Sequence, residues 1–128
     1  MTAVHPFARM KSVPLEKVAA EPLVVLRRKD YPESDRFLDR LFASNRAKPP
    51  IAVECDSASS LITEVEAGRG LSLATPVFKL VAGKRLLYRP LTGTTEVLSV
   101  GIARATKGDV TPAGENFCKI LRKISKGI

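Results

Sequence analysis

The chain has few of the residues from which catalytic and metal sites are usually built. Its 128 residues include a single histidine, His5, two cysteines and no tryptophan. Protein zinc sites need several His, Cys or carboxylate ligands at short spacings, and the sequence has no such grouping. A hydrolytic triad would need His5 beside a nucleophile, and the sequence contains no Gly-x-Ser-x-Gly elbow. The sequence therefore predicts a protein that is not an enzyme and that binds neither a metal nor a cofactor.

Long apolar runs are missing as well. No stretch approaches the ~18 residues that a membrane-spanning helix requires, and the N-terminus lacks the apolar core of a signal peptide. Cys55 and Cys118 lie far apart, and two buried thiols are a better interpretation than a disulfide, although the sequence leaves both open. These features predict a cytoplasmic protein that does not contact a membrane.

The charge balance is basic, with a formal net charge of +8. Such a charge suits an acidic partner, which could be a nucleic acid, a membrane surface or an anionic ligand. The basic residues are scattered, however, and no aromatic residues are interleaved with them to stack on bases. We therefore favour a solvated basic surface. Because 45% of the residues are hydrophobic, the chain is long enough and apolar enough for one globular domain.

Short apolar runs alternate with amphipathic helical patterns along most of the chain. Strands are predicted at residues 22–27, 51–55, 71–74, 85–89 and 97–103. Helices are predicted at residues 34–45 (capped by Ser34 or Asp35), 57–67, 76–81 and 112–125 (capped by Thr111). This alternation is typical of an α/β fold with a mostly parallel sheet flanked by helices.

Polar residues follow the predicted parallel strands at the points where those strands end. The candidate ligand-binding residues are Arg27, Arg28, Ser57, Ser59, Ser60, Thr75 and Pro76. The carboxyl ends of parallel strands are where open α/β sheets bind small ligands, and the starts of helices attract carboxylates and phosphates. Simpler roles stay open here, because a serine or Thr75 can cap a helix and an arginine can form a surface ion pair.

Several segments, taken in order, resemble a known family. They are His5-Pro6-Phe7-Ala8, Val18-Ala19-Ala20-Glu21-Pro22-Leu23-Val24, Val65-Glu66-Ala67-Gly68-Arg69-Gly70-Leu71-Ser72-Leu73, Thr75-Pro76, Leu87-Tyr88-Arg89-Pro90-Leu91 and Thr111-Pro112-Ala113. Together with their spacing, these segments resemble the effector-binding domain of LysR-type transcriptional regulators. The resemblance implies a Rossmann-like lobe of the type II periplasmic-binding-protein fold. A small effector, anionic in our interpretation, would bind between two such lobes.

The resemblance also implies how the chain is divided. Residues 1–19 would be a connector after the first crossing between lobes, 20–92 the second lobe, and 93–128 the return strand and last helix of the first lobe. The helix-turn-helix domain and most of the first lobe would be absent, so DNA contact would belong to another part of the regulator. The alternative is a stand-alone α/β binding or interaction module.

The last predicted helix carries an apolar stripe that needs a partner. The stripe consists of Ala113, Phe117, Ile120, Leu121 and Ile124. Since an apolar helix face is seldom left in water, we expect a second copy of the chain to cover it in a homodimer. Docking of the helix onto its own chain is the alternative.

Overall fold

The computed structural model describes residues 1–43, 48–76, 78–97, 103, 108 and 110–125. The chain divides into two compact units, Met1–Leu98 and Ser99–Ile128. The first unit contains the strands and the second contains the last helix, and each is described by itself below.

Parallel pairing organises the centre of the first unit. Strand β2 (Leu23–Leu26) pairs in parallel with β3 (Ile51–Cys55), with Leu26 opposite Cys55. On its other side, β2 forms a parallel bridge with Leu71, whose N–H donates to the Pro22 carbonyl (2.9 Å) and whose carbonyl accepts from Val24 (2.7 Å). The α/β class with parallel strands is thus confirmed. The predicted strand 71–74 shortens to this bridge, since the residues after Leu71 are partly exposed and water can satisfy their backbone groups.

A second parallel pair joins β1 (Val13–Pro14) to β4 (Leu91–Thr92). The predicted strand at 85–89 is wrong, because the backbone there bonds to the N-terminal segment instead of to a ladder. Leu87 donates its N–H to the Met1 carbonyl at 2.8 Å. The Arg89 guanidinium donates to the carbonyls of Ala8 (2.7 Å) and Met10 (2.6 Å). Most of the predicted strand at 97–103 lies outside the described residues.

Six helical segments accompany these strands in the described part of the chain. They are a 3-10 helix at Pro6–Arg9 and helices α1 (Leu15–Val18), α2 (Pro32–Leu41), α3 (Ala58–Glu66), α4 (Phe78–Ala82) and α5 (Pro112–Ser125). Ser34 and Asp35 do not cap α2, because Pro32 starts the helix earlier with its fixed φ and Tyr31 is the capping residue. Thr111 caps α5 as predicted, its Oγ1 accepting from the Gly114 N–H at 3.2 Å.

The parallel strands are covered on both faces, since successive side chains of β2 point in opposite directions. Leu23, which is fully buried, packs in a cluster with Leu41, Phe42 and Leu71. Val24, also fully buried, packs on the opposite face with Leu61 and other residues of β3 and α3, namely Cys55 and Val65. Burial on both faces explains why β2 is a continuous apolar run.

The N-terminal segment, which the sequence predicts to be a connector, contributes to the first of these clusters. Phe7, Val13, Leu15 and Val18 are all buried within it. His5 begins the 3-10 helix, and its Nδ1 accepts the Phe7 N–H at 3.1 Å. The only histidine of the chain therefore has a structural contact at the surface of this core.

Helix α5 is amphipathic, and much of its apolar stripe is exposed. Phe117, Ile120 and Ile124 are 60%, 49% and 59% exposed, and the helix contains no buried residue. Within the described residues, neither α5 nor any other helix combines the length and apolar character needed to cross a membrane.

Candidate functional site

The carboxyl ends of the parallel segments meet at one edge of the sheet. Beyond Leu26 and Cys55, the Arg27 N–H donates to the Cys55 carbonyl at 2.8 Å, which continues the parallel pairing by one bond. Arg27 and Asp56 are consequently neighbours on the adjacent ends of β2 and β3. The segment beginning at Leu71 runs on the other side of β2 and leads to Thr75. Chain order therefore reverses around β2, and such a switch point is where open α/β sheets form ligand crevices.

The serines at the start of α3 form a connected group of hydroxyls. Ser57 caps the helix, because its Oγ accepts the Ser60 N–H at 3.2 Å; a serine cap was one of the simpler roles that the sequence left open. The Ser57 and Ser60 hydroxyls lie 2.9 Å apart. Ser59 is exposed, and its carbonyl accepts a hydrogen bond from the Thr63 hydroxyl at 3.0 Å. The structure thus brings Ser57 and Ser60 together and turns Ser59 towards solvent.

Asp56 joins this group, although it was not among the predicted site residues. The Ser60 hydroxyl donates to Asp56 Oδ1 at 3.0 Å. Hydrogen bonds from Ser60 and Ser57 hold the pKa of the Asp56 carboxyl below its usual value, and the charge of Arg27 adds to that effect. The sequence signal for Asp56 was its position between the end of a strand and a serine cap. The role of Asp56 at the site depends, however, on contacts that only the folded chain shows.

Both candidate arginines form ion pairs, which is the simpler role that the sequence left open. Arg27 lies 3.5 Å from Asp30, and Arg28 lies 3.1 Å from Asp35 of α2. The Arg28 side chain is 75% exposed and is held against α2. Arg27 is the more central of the two, since it is only partly exposed and stands beside Asp56 at the strand ends.

Thr75 and Pro76 lead from the third parallel segment into α4. The Thr75 carbonyl accepts the Phe78 N–H at 3.0 Å, and the Pro76 carbonyl accepts the Lys79 N–H at 3.1 Å. Thr75 is half-buried and Pro76 is exposed. Within the described ranges, no hydrogen bond links either residue directly to the serines of α3, so their place at the site depends on strand order alone.

The described residues also line two open cavities beside the loop that follows β4, which no motif in the sequence indicated. The larger, of about 610 Å³, is lined by Leu15, Arg40, Leu41, Ala43, Gly93, Thr94, Thr95 and Glu96. The smaller, of about 250 Å³, shares Leu15 and Gly93 with it. Two residues that line the larger cavity, Arg40 and Glu96, form an ion pair at 3.4 Å. We place the candidate site at the strand ends, because polar groups from separate segments converge there and the loop cavities are shallow and open.

Comparison with known proteins places this edge within a family domain. A family model described as the LysR substrate binding domain matches residues 1–125. No curated protein matches the chain. Within the described residues, no group of three or more His, Cys, Asp or Glu side chains is arranged to hold a metal ion.

Proposed function

The chain belongs to the LysR substrate-binding domain family, and we propose that it binds a small anionic effector at the edge where β2, β3 and the segment beginning at Leu71 end. It is the effector-binding portion of a LysR-type transcriptional regulator. Sequence-specific DNA contact would belong to the helix-turn-helix domain of such a regulator.

The observation that carries the proposed position is the switch point around β2. Arg27 would supply positive charge at the centre of the edge. Ser57, Ser59 and Ser60 would supply hydroxyl and amide donors on the β3 side, and Thr75 and Pro76 would form the opposite wall. Arg28 would lie at the rim, because Asp35 holds its side chain against α2.

We also propose that the domain senses the effector without converting it. The lone pair on His5 Nδ1, which a general base would need, already accepts a backbone N–H. The Cys55 thiol is buried, and burial raises its pKa, so little of the nucleophilic thiolate is present near neutral pH.

Exchanging Arg27 for glutamine should test the site. We expect inorganic phosphate or succinate to shift the amide NMR signals of Ser59, Ser60 and Thr75 in the wild-type chain. Arg27→Gln should weaken binding at least about tenfold, since a hydrogen bond to a charged group contributes about 1.5–3 kcal/mol. The matched control is Arg36→Gln, which removes an arginine paired at 2.6 Å with Glu33 on exposed α2. Signals that move only in residues 92–96 would instead place binding in the cavity lined by Arg40.

We further propose that α5 pairs with a second copy of the chain. Its exposed Phe117, Ile120 and Ile124 would each gain roughly 1.5–3 kcal/mol on full burial. Light scattering at micromolar concentration should report a dimer, and Phe117→Glu should shift it to a monomer. Lys119→Glu, an exposed change on the same helix, should leave the dimer intact. A monomeric wild-type chain would contradict the proposal.

A further inference from the structure

The linked Ser57 and Ser60 hydroxyls at the start of α3 already contact an anionic group of the same chain, the Asp56 carboxylate. Asp56 Oδ1 accepts the Ser60 hydroxyl at 3.0 Å, and that hydroxyl lies 2.9 Å from the Ser57 hydroxyl. These are donors that an anionic effector would need at this edge. Any anion that reaches them must therefore compete with the Asp56 carboxylate.

Strand register explains why this carboxylate is positioned there. Leu26 pairs with Cys55, and the Arg27 N–H continues the pairing to the Cys55 carbonyl. The next residue on β3 is Asp56, so its backbone is fixed beside Arg27. Its exposed carboxylate accepts the Ser60 hydroxyl, and the charge of Arg27 acts on it from the neighbouring strand.

The two helices that begin at this edge differ in where their negative charge lies. Helix α2 carries Glu33 and Asp35 in its first turn, which offset the positive end of its dipole. Helix α3 has no acidic residue in its first turn. The carboxylate beside the start of α3 is instead that of Asp56, which precedes the Ser57 cap. Because Asp56 lies outside the helix, its side chain can rotate away without altering the helix.

From this arrangement we propose that Asp56 is an internal competitor of the effector: its carboxylate accepts the Ser60 hydroxyl, which is itself linked to the Ser57 hydroxyl, until the effector's anionic group binds and displaces it. The inference rests on the proposed site. In this role Asp56 lowers the affinity of the edge for anionic effectors. Its negative charge raises the concentration of effector that is needed to occupy the edge. Displacement also leaves Asp56 free to approach the Arg27 guanidinium, so that effector binding changes the ion pairs where β2 ends.

The test compares Asp56→Asn with Asp30→Asn in NMR titrations with inorganic phosphate. Asparagine keeps an oxygen that can accept the Ser60 hydroxyl, but it removes the charge. Asp30→Asn removes an equal charge from the other neighbour of Arg27, 3.5 Å away, and Asp30 makes no contact with the α3 serines in the described residues. We expect Asp56→Asn to bind phosphate at least about fivefold more tightly than the wild type, and Asp30→Asn to differ by less than about twofold.

The possible outcomes distinguish failure of the competitor role of Asp56 from failure of the proposed site. Equal gains in the two variants would overturn the competitor role, since any nearby negative charge would then have the same effect. Phosphate shifts at Ser59 and Ser60 with equal affinity in wild type and Asp56→Asn would also overturn it while leaving the site in place. Failure of both proteins to shift these signals would overturn the proposed site itself. Asp56→Ala, with its fold checked by circular dichroism, should reproduce the gain in affinity if loss of the charge is the cause.

Discussion

Leu61→Asp is expected to unfold the domain under conditions in which the wild-type chain is folded. Leu61 is 4% exposed and packs with Val24 and Val65 between α3 and the parallel strands. A carboxylate at this position would be buried without a cationic partner, and the leucine packing would be lost as well. We expect a cost above about 4 kcal/mol, which approaches the whole stability of a domain at the lower end of the roughly 5–15 kcal/mol that is typical.

Thermal melting followed by circular dichroism measures this effect. Thr63→Asp provides the control, since Thr63 lies on the same helix, is exposed, and loses only its 3.0 Å hydrogen bond to the Ser59 carbonyl. That variant should stay within about 1 kcal/mol of the wild type. A Leu61→Asp chain that melts at the wild-type temperature would show that this face of α3 does not pack on the sheet.

The position of α3 could be predicted because its signals are local. A serine cap, apolar residues three and four positions apart and a following glycine are properties of one stretch of chain. The boundaries 57–67 therefore lie close to the observed Ala58–Glu66. The region 85–89 has an apolar composition typical of a strand, yet it forms no strand. What decides its structure is the N-terminal segment, whose Met1, Ala8 and Met10 carbonyls take its hydrogen bonds.

In the candidate site, too, some features could be predicted from local sequence and others could not. The ends of β2 and β3 and the start of α3 could be located from the sequence, and a serine cap was one of the roles left open there. The partners of the side chains could not be predicted, because each depends on register or on a turn. Arg27 stands beside Asp56 only because β2 and β3 pair with Leu26 opposite Cys55. Arg28 reaches Asp35 only because α2 begins at Pro32, which places Asp35 in its first turn.

Gly70→Ala is the second substitution for which we expect a large loss of stability. A Cβ atom at this position would fall on the Pro22 carbonyl oxygen, inside van der Waals contact, and would lie 3.0 Å from the Pro22 carbonyl carbon. That oxygen accepts the Leu71 N–H at 2.9 Å, in the bridge that joins the third parallel segment to β2. Because backbone atoms must shift to admit the methyl group, we expect a cost of about 3 kcal/mol.

Gly68→Ala is a matched control for this prediction, since it adds the same methyl group two residues earlier. Gly68 has φ +78°, and a Cβ there would meet nothing within 4 Å. Its cost should be the conformational one alone, about 1 kcal/mol. Urea denaturation should rank the variants in that order, and hydrogen exchange should show the Leu71 and Val24 amides losing protection in Gly70→Ala alone. Equal losses in the two variants would show that close approach to the Pro22 carbonyl is not what requires glycine at 70. If the proposed site is right, loss of this bridge should also weaken phosphate binding, because Thr75 follows the bridged segment.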